Sequence, residues 1–98
     1  MLLILLSLAD QPRHGYAILK DVEDMSDGRV RFSTGTSYGA LRRLLDDGWI
    51  ERFEEDAAVR DRTAYRLTCD GRARLLAETT RMKQLTRLAG VRLSTREA

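Results

Sequence analysis

The first 25 residues contain a continuous apolar run followed by apolar residues at helical spacing, and each of these two patterns predicts a helix. Residues 1–9 are almost entirely apolar and predict a first helix that ends before Pro12, because proline cannot continue a helix. A helix that is apolar on nearly every side has to be covered on nearly every side, so we expect it to be buried, in part by a partner surface. A second helix is predicted from about His14 to Met25, where apolar positions that include Tyr16 fall near helical spacing and are expected to face inward, with the charged residues facing out.

The third predicted helix carries signals at both ends. Ser33 or Thr34 caps its N-terminus, since either side chain can accept a hydrogen bond from a backbone N–H of the first turn, and Gly48 ends it. One face repeats at helical spacing and is expected to be buried. That face consists of Leu41, Leu44 and Leu45, with Ser37 or Tyr38 one turn earlier.

Two short strands follow, separated by a polar connection. The first runs from Trp49 to Glu54. The second runs from Ala64 to Thr68, where apolar and polar residues alternate as they do in a half-buried strand. The connection, over residues 55–63, is rich in Asp and Arg. This arrangement predicts a β-hairpin with a polar loop.

A long final helix is predicted after the second strand. Thr68 or Asp70 caps its start, and we expect it to run through about Ala89. Its apolar residues form a stripe along one side, as in helices that pair with another helix. The stripe contains Leu75, Met82, Leu85 and Ala89, flanked by Leu76 and Leu88.

The predicted order of elements is therefore helix, helix, helix, strand, turn, strand, helix. This order describes a winged helix-turn-helix, a mainly α fold with a small two-stranded antiparallel β-wing. In that fold the third helix enters the major groove of DNA, while the hairpin lies along the backbone or the minor groove. We divide the chain into a winged helix-turn-helix DNA-binding domain over residues 1–69 and a C-terminal dimerisation helix with a tail over residues 70–98.

The outward face of the third helix has the composition of a DNA-binding surface. A helical wheel that points Leu41 to the core places Thr36, Gly39 and Arg43 opposite, with Gly35, Arg42 and Asp46 at the margins. A glycine inside a helix costs about 1 kcal/mol relative to alanine, so Gly35 and Gly39 are better explained by the close approach of a ligand. The alternative is an ordinary solvated face with two incidental glycines.

Two arginines of the hairpin connection, Arg60 and Arg62, are further candidates. A guanidinium group at the tip of a wing can pair with phosphate or enter a narrow minor groove. The alternative is a solvated loop in which the two arginines pair with Asp56 and Asp61.

His14 and Gly15 form a third candidate site. Gly15 leaves the start of the second helix open, so that the backbone N–H groups there can donate hydrogen bonds to a phosphate. The alternative is that both residues serve only to cap the helix.

Composition narrows the functional class. Of the 98 residues, 43% are hydrophobic and 33% are charged, as in ordinary folded domains, and the net charge of +2 permits nucleic-acid binding without arguing for it. One Cys and one His form no metal cluster, and no catalytic set or phosphate-binding glycine loop is found, so we expect no enzyme, metal or cofactor. The apolar start is shorter than the roughly twenty residues of a membrane span and is followed by no cleavage site, so we expect a cytoplasmic protein with no membrane partner.

Four segments, in order and at matching spacing, resemble the PadR-type transcriptional regulators. They are the leading apolar helix, residues 12–16 (PRHGY), residues 33–44 (STGTSYGALRRL), and residues 65–68 (YRLT) with Gly71 close behind. Together they cover roughly residues 1–75. The family commonly has proline at the positions of Thr34 and Gly39 and a wing richer in Gly and Arg, so the chain departs from the pattern there.

The resemblance implies a dimeric regulator, usually a repressor, whose third helix faces DNA. The predicted DNA-binding residues of this helix are Ser33, Thr34, Gly35, Thr36, Ser37, Tyr38, Gly39, Arg42 and Arg43. Arg60, Arg62, His14 and Gly15, proposed above from their residue types and positions, complete the predicted DNA-binding set. Tyr38 is carried over most directly, and its wheel position toward the core implies that it bridges core and phosphate. The last helix pairs with the first helix and with the partner's copy, through Leu2, Leu5, Leu75, Met82, Leu85, Leu88 and Ala89.

Two hypotheses about function follow. The first is a sequence-specific DNA-binding homodimer, a repressor that acts on a pseudo-palindromic operator of double-stranded DNA and is released by a small-molecule effector. The second is a winged-helix protein-interaction or dimerisation module with little affinity for DNA. The modest net charge and the acidic residues 54–56 beside the wing motivate the second hypothesis.

Overall fold

A computed structural model describes residues 2–54 and 63–97 of the chain. The elements are α1 (Leu2–Ser7), β1 (Arg13–His14), α2 (Gly15–Met25), α3 (Thr34–Asp46), β2 (Ile50–Glu54), β3 (Thr63–Leu67) and α4 (Cys69–Glu97). The prediction of a mainly α winged helix-turn-helix with a small antiparallel sheet is confirmed.

The sheet has three strands rather than the two that were predicted. Its order is β1-β3-β2 and all pairings are antiparallel, with Arg13 opposite Tyr65 and Ile50 opposite Leu67. The prediction missed β1 because two residues leave no alternating pattern. Only the free edge of β3, some fifty residues further along the chain, makes Arg13 and His14 a strand.

Among the described residues, a hydrophobic core joins α1, α2, α3 and α4 to the sheet. α1 packs against α2 and α4, which explains why so short a helix is apolar on nearly every side. The core consists of Ile4, Leu5, Leu8, Ile18, Val22, Leu41, Leu44, Ile50 and Leu75. In α2 the buried residues are Ile18 and Val22, one turn apart, so the prediction that Tyr16 lies on the buried side is wrong: its side chain is 80% exposed.

The end of α3 is a Schellman motif. Gly48 has a φ of +77°, the left-handed conformation that glycine adopts at no steric cost. The Gly48 N–H donates to the carbonyl of Leu45, and the Trp49 N–H donates to the carbonyl of Leu44, both at 3.1 Å. The prediction that Gly48 ends this helix is thereby confirmed.

Helix α4 is longer than predicted. Thr68 caps it by accepting the Gly71 N–H at 3.0 Å, and the helix then runs past Ala89 to Glu97. Gly90 does not stop it, and beyond this glycine the hydroxyl groups of Ser94 and Thr95 donate to carbonyls four residues back, at 2.9 and 3.0 Å. Among the described helices, none has the length and apolar character needed to cross a bilayer.

Candidate nucleic-acid interface

The exposed face of α3 is small, polar and basic, as the helical wheel predicted. Gly35, Thr36, Gly39, Arg42 and Arg43 are all exposed. Because most of these side chains are short, a ligand can approach the helix backbone closely along this face.

The first turn of α3 is held by Ser33. Its Oγ accepts the Thr36 N–H at 3.2 Å and donates to the Thr36 Oγ1 at 2.9 Å. Ser33 is thus the N-cap and Thr34 the first helical residue, which resolves the two alternatives for the cap. The Ser33–Thr36 pair presents two hydroxyl groups at the exposed start of the helix, where backbone N–H groups and the helix dipole favour an anion.

Of the two residues that could precede Leu41 on the buried face, the structure buries Ser37 and exposes Tyr38. Ser37 is only 4% exposed, because it lies one turn before Leu41 on the inward face, and its side chain therefore does not reach the outer surface. Tyr38 is 67% exposed, so the prediction that it points toward the core is wrong. Its phenol ring extends from the middle of α3 into solvent and is available to a ligand.

The glycines of α3 are not required by the packing of the protein itself. A Cβ atom built on Gly35 or on Gly39 meets no heavy atom within 4 Å. By contrast, a Cβ on Gly71 would overlap the backbone of Trp49. Since nothing in the described chain crowds Gly35 and Gly39, the explanation that they permit close approach of a ligand is strengthened.

Two arginines of α3 differ in their surroundings. Arg42 forms an exposed ion pair with Asp46 at 3.5 Å, one turn later on the same helix. Arg43 has no ion-pair partner among the described residues. Arg43 is therefore the cation of this face that is ready to pair with an external anion, while Arg42 must first leave Asp46.

His14 and Gly15 belong to the sheet edge and to the start of α2. The Nδ1 of His14 lies 3.1 Å from the carbonyl of Thr63 in β3, and the ring makes no capping hydrogen bond to α2. Gly15 lies beside the ring of Tyr65, whose Cε2 would be 3.8 Å from a Cβ at that position. The ring of His14 thus joins β1 to β3, a role that neither alternative for this pair included.

The side of the wing that the structure describes carries further cations. Arg66 pairs with Glu51 across the strands at 2.6 Å and lies 4.6 Å above the ring of Phe53. The predicted wing contacts Arg60 and Arg62 lie outside the described residues. Arg52 is exposed on β2 and forms no ion pair within the described part of the chain.

Tyr16 is a candidate residue that the sequence pattern did not single out. With Phe32 and Arg31 it borders a groove of about 340 Å³ between α2 and the segment that leads into α3; Leu19, Lys20 and Glu23 complete the lining. The Arg31 guanidinium pairs with Glu23 at 3.1 Å on the rim. The sequence held a signal for this position: Ile18 and Val22, one turn apart, define an inward face of α2, and Tyr16 lies on the opposite side of the helix.

The predicted dimer residues divide into two groups. Leu5 and Leu75 are 2% and 7% exposed and belong to the core of a single chain, and Leu2 packs against that core. Met82, Leu85 and Leu88 are 45%, 55% and 46% exposed, and Ala89 is exposed as well. Met82 and Ala89 continue the direction of Leu75 along α4, with Leu85 beside them and Leu88 farther round the helix. This part of α4 lies beyond the body of the domain, where nothing within the described chain covers it.

Three helices followed by an antiparallel hairpin, with a capped third helix exposed on one side, define a winged helix-turn-helix of the DNA-binding class. The model of the transcriptional regulator PadR-like family matches residues 4–77, and the chain belongs to this family. Members are regulators of transcription, so the expectation that the chain is not an enzyme is confirmed.

Solved structures agree with this assignment. A PadR family transcription regulator from Clostridium difficile R20291 has a TM-score of 0.75 to this chain at 25% identity, over 94% of this chain and 95% of that one. A PadR-like transcriptional regulator from Bacillus cereus has a TM-score of 0.76 at 20% identity, over 92% and 86% of the two chains, and so shares the fold.

A further relative is known from sequence. An uncharacterised 37.1 kDa protein of transposon TN4556 from Streptomyces fradiae is 38% identical over 85 residues. These residues make up 87% of this chain and 23% of that protein, so the chain spans about a quarter of the length of this relative.

Proposed function

We propose that the protein is a homodimeric repressor that binds a pseudo-palindromic operator through α3 and is released by a small-molecule effector. The observation that carries the proposal is the outer face of α3, where two uncrowded glycines lie beside the exposed Tyr38 and Arg43. Small residues let the helix approach the base edges, and the guanidinium and phenol groups supply contacts to bases and phosphates. This function operates in the cytoplasm, where the DNA is.

In this proposal, different parts of the chain bind DNA and form the dimer. Residues 1–69 bind DNA, and α4, within residues 70–98, holds two copies together through its exposed apolar stripe. A two-fold dimer places two recognition helices about one turn of DNA apart, roughly 34–36 Å. Release by an effector is supported by the resemblance to the family.

The test is fluorescence anisotropy with a duplex from immediately upstream of the protein's own coding region, compared with a scrambled duplex. We expect tighter binding to the native duplex. If six to ten phosphates are contacted, affinity falls by about 10³–10⁵ between 50 and 200 mM salt. Replacement of Arg43 by alanine should weaken binding by about 1–3 kcal/mol, because the guanidinium reaches a base edge or a phosphate.

The matched control is Arg87→Ala, which removes an exposed arginine from α4, outside the proposed contact face. It should leave affinity unchanged. Equal, weak and salt-insensitive binding of both duplexes by the folded dimer would overturn the proposal. Retention of protein partners by Arg43→Ala and Arg62→Ala variants would then support the interaction module instead.

A further inference from the structure

The backbone of Trp49 forms hydrogen bonds to the end of α3 and to Thr68, the residue that caps α4. Its N–H donates to the carbonyl of Leu44 in α3, and its own carbonyl accepts the N–H of Thr68, the cap of α4, each at 3.1 Å. The residue that completes the Schellman motif of α3 is therefore also the residue against which α4 begins. Backbone hydrogen bonds of Trp49 thus join the end of α3 directly to the start of α4.

Thr68 adds a second link. Its Oγ1 donates to the carbonyl of Gly48 at 2.6 Å and accepts the N–H of Gly71 at 3.0 Å. One hydroxyl group thus connects the turn that ends α3 to the first turn of α4. Both of its hydrogen-bonding functions are used, so the direction of the side chain is defined.

Gly71 allows the closest approach in this junction. A Cβ at this position would overlap the Trp49 carbonyl group and lie 2.7 Å from its carbon, so that any side chain would force the backbones apart. One turn later, the guanidinium of Arg74 lies 5.0 Å from the centre of the Trp49 ring. Gly90, in the same helix, has no heavy atom within 4 Å of the corresponding position.

Small changes of angle at this junction produce large movements along α4. Leu85, in the middle of the exposed stripe, lies about 24 Å along the helix from its first residue at about 1.5 Å per residue. A tilt of about 8° at the root would move that point by roughly 3.4 Å, the rise of one base pair. The contacts of Gly48, Trp49, Thr68 and Gly71, which we name the α3–α4 junction, oppose such a tilt, together with the packing of α4 against α1 and of Leu75 in the core.

We propose that the α3–α4 junction sets the direction of α4 relative to the recognition helix, and thereby the half-site spacing that the dimer selects. This inference rests on the proposed function, because spacing has meaning only for a dimer that binds two half-sites. Thr68 and Gly71 are then positioning residues: they touch no DNA and act through the angle between the helices.

The first experiment measures that angle without DNA. Spin labels are placed on D46C and Q84C in a C69S background, and labelled protein is diluted into an excess of unlabelled protein so that only distances within one chain contribute. We expect one narrow distance distribution for the parent protein and for Gly90→Ala. Gly71→Ala and Thr68→Val should shift or broaden it.

The second experiment measures the selected spacing with duplexes whose half-sites are moved apart or together in steps of one base pair. The parent and Gly90→Ala should share one optimum, whereas Thr68→Val and Gly71→Ala should move it by about one base pair or flatten it. A merely structural role would lower stability and leave the optimum in place. Thr68→Val, which retains the shape of the side chain, decides the outcome if Gly71→Ala does not fold.

The outcomes separate the two proposals. Failure of the parent protein to bind any duplex overturns the proposed function and, with it, the role in spacing, whatever the distances show. Binding with an unchanged optimum in folded Thr68→Val and Gly71→Ala overturns only the role of the junction. Unchanged distances in both variants overturn it as well.

Discussion

Two serine hydroxyl groups in this protein differ in whether they form a hydrogen bond. Ser7 is 1% exposed, and its Oγ has no hydrogen-bond partner among the described residues, whereas its carbonyl accepts the Nε of Arg13 at 2.8 Å. Ser26 is the reverse case, since its Oγ accepts the Val30 N–H at 3.0 Å and shapes the turn after α2. The Ser26 hydroxyl group therefore forms a hydrogen bond that the Ser7 hydroxyl group lacks among the described residues.

At the residue scale we predict that Ser7→Ala raises the free energy of unfolding by about 1–2 kcal/mol, because a buried hydroxyl without a partner costs about that much. Ser26→Ala, the matched control, should lower it by about 0.5–1.5 kcal/mol through the loss of a made hydrogen bond. Urea denaturation measures both. A clear destabilisation by Ser7→Ala would mean that its hydroxyl is used after all.

At the scale of the element, α3 has well-defined caps at both ends but two glycines of low helical propensity between them. The Ser33 cap and the Gly48 Schellman motif define where it begins and ends, while Gly35 and Gly39 lower its helical propensity. The residues of low helical propensity thus lie on the face of α3 that is exposed to solvent. Sequences are usually consistent with their fold except where function demands otherwise.

The double variant Gly35→Ala, Gly39→Ala separates stability from binding. Each alanine should stabilise the folded protein by up to about 1 kcal/mol, because the helix gains propensity and the added methyl groups meet nothing. DNA affinity should fall, because the methyl groups hold the helix away from the groove. Thermal unfolding followed by circular dichroism gives the first quantity and anisotropy the second.

Gly90→Ala serves as the control for that variant, since it adds a methyl group to an equally open glycine of α4. It should raise stability and leave DNA affinity unchanged. A gain in stability with unchanged affinity in the double variant would show that the two α3 glycines are incidental.

At the scale of the whole molecule, α4 extends well past the body of the domain. Leu75, near its start, lies in the core, but farther along the same direction Met82 and Leu85 are about half exposed. An uncovered apolar stripe on a helix this long favours a partner that covers it.

We therefore predict that Leu85→Asp converts a dimer into a monomer, because it places a charge in the middle of the stripe. Leu76→Asp is the control: Leu76 is 66% exposed and lies nine residues away, about 180° around the helix. Analytical ultracentrifugation measures the mass of both variants. An unchanged dimer with Leu85→Asp would exclude the stripe as the interface.

The sequence by itself determined those features whose causes lie within a few residues of one another. The cap at Ser33, the stop at Gly48 and the period of Leu41 and Leu44 are local interactions, and together they predict α3. The resemblance of its segments to PadR-type regulators added the family, which the family model confirms.

Only the tertiary structure decided what depends on distant contacts. It made Arg13 and His14 a strand, because β3 offered a free edge, and it turned Tyr38 outward because Ser37 occupies the inward position. It also brought Thr68 and Gly71 against Trp49, a contact that no periodicity reveals. The physical reason is that caps and helical periods act through neighbours along the chain, whereas burial, strand pairing and close backbone approach exist only once remote segments have met.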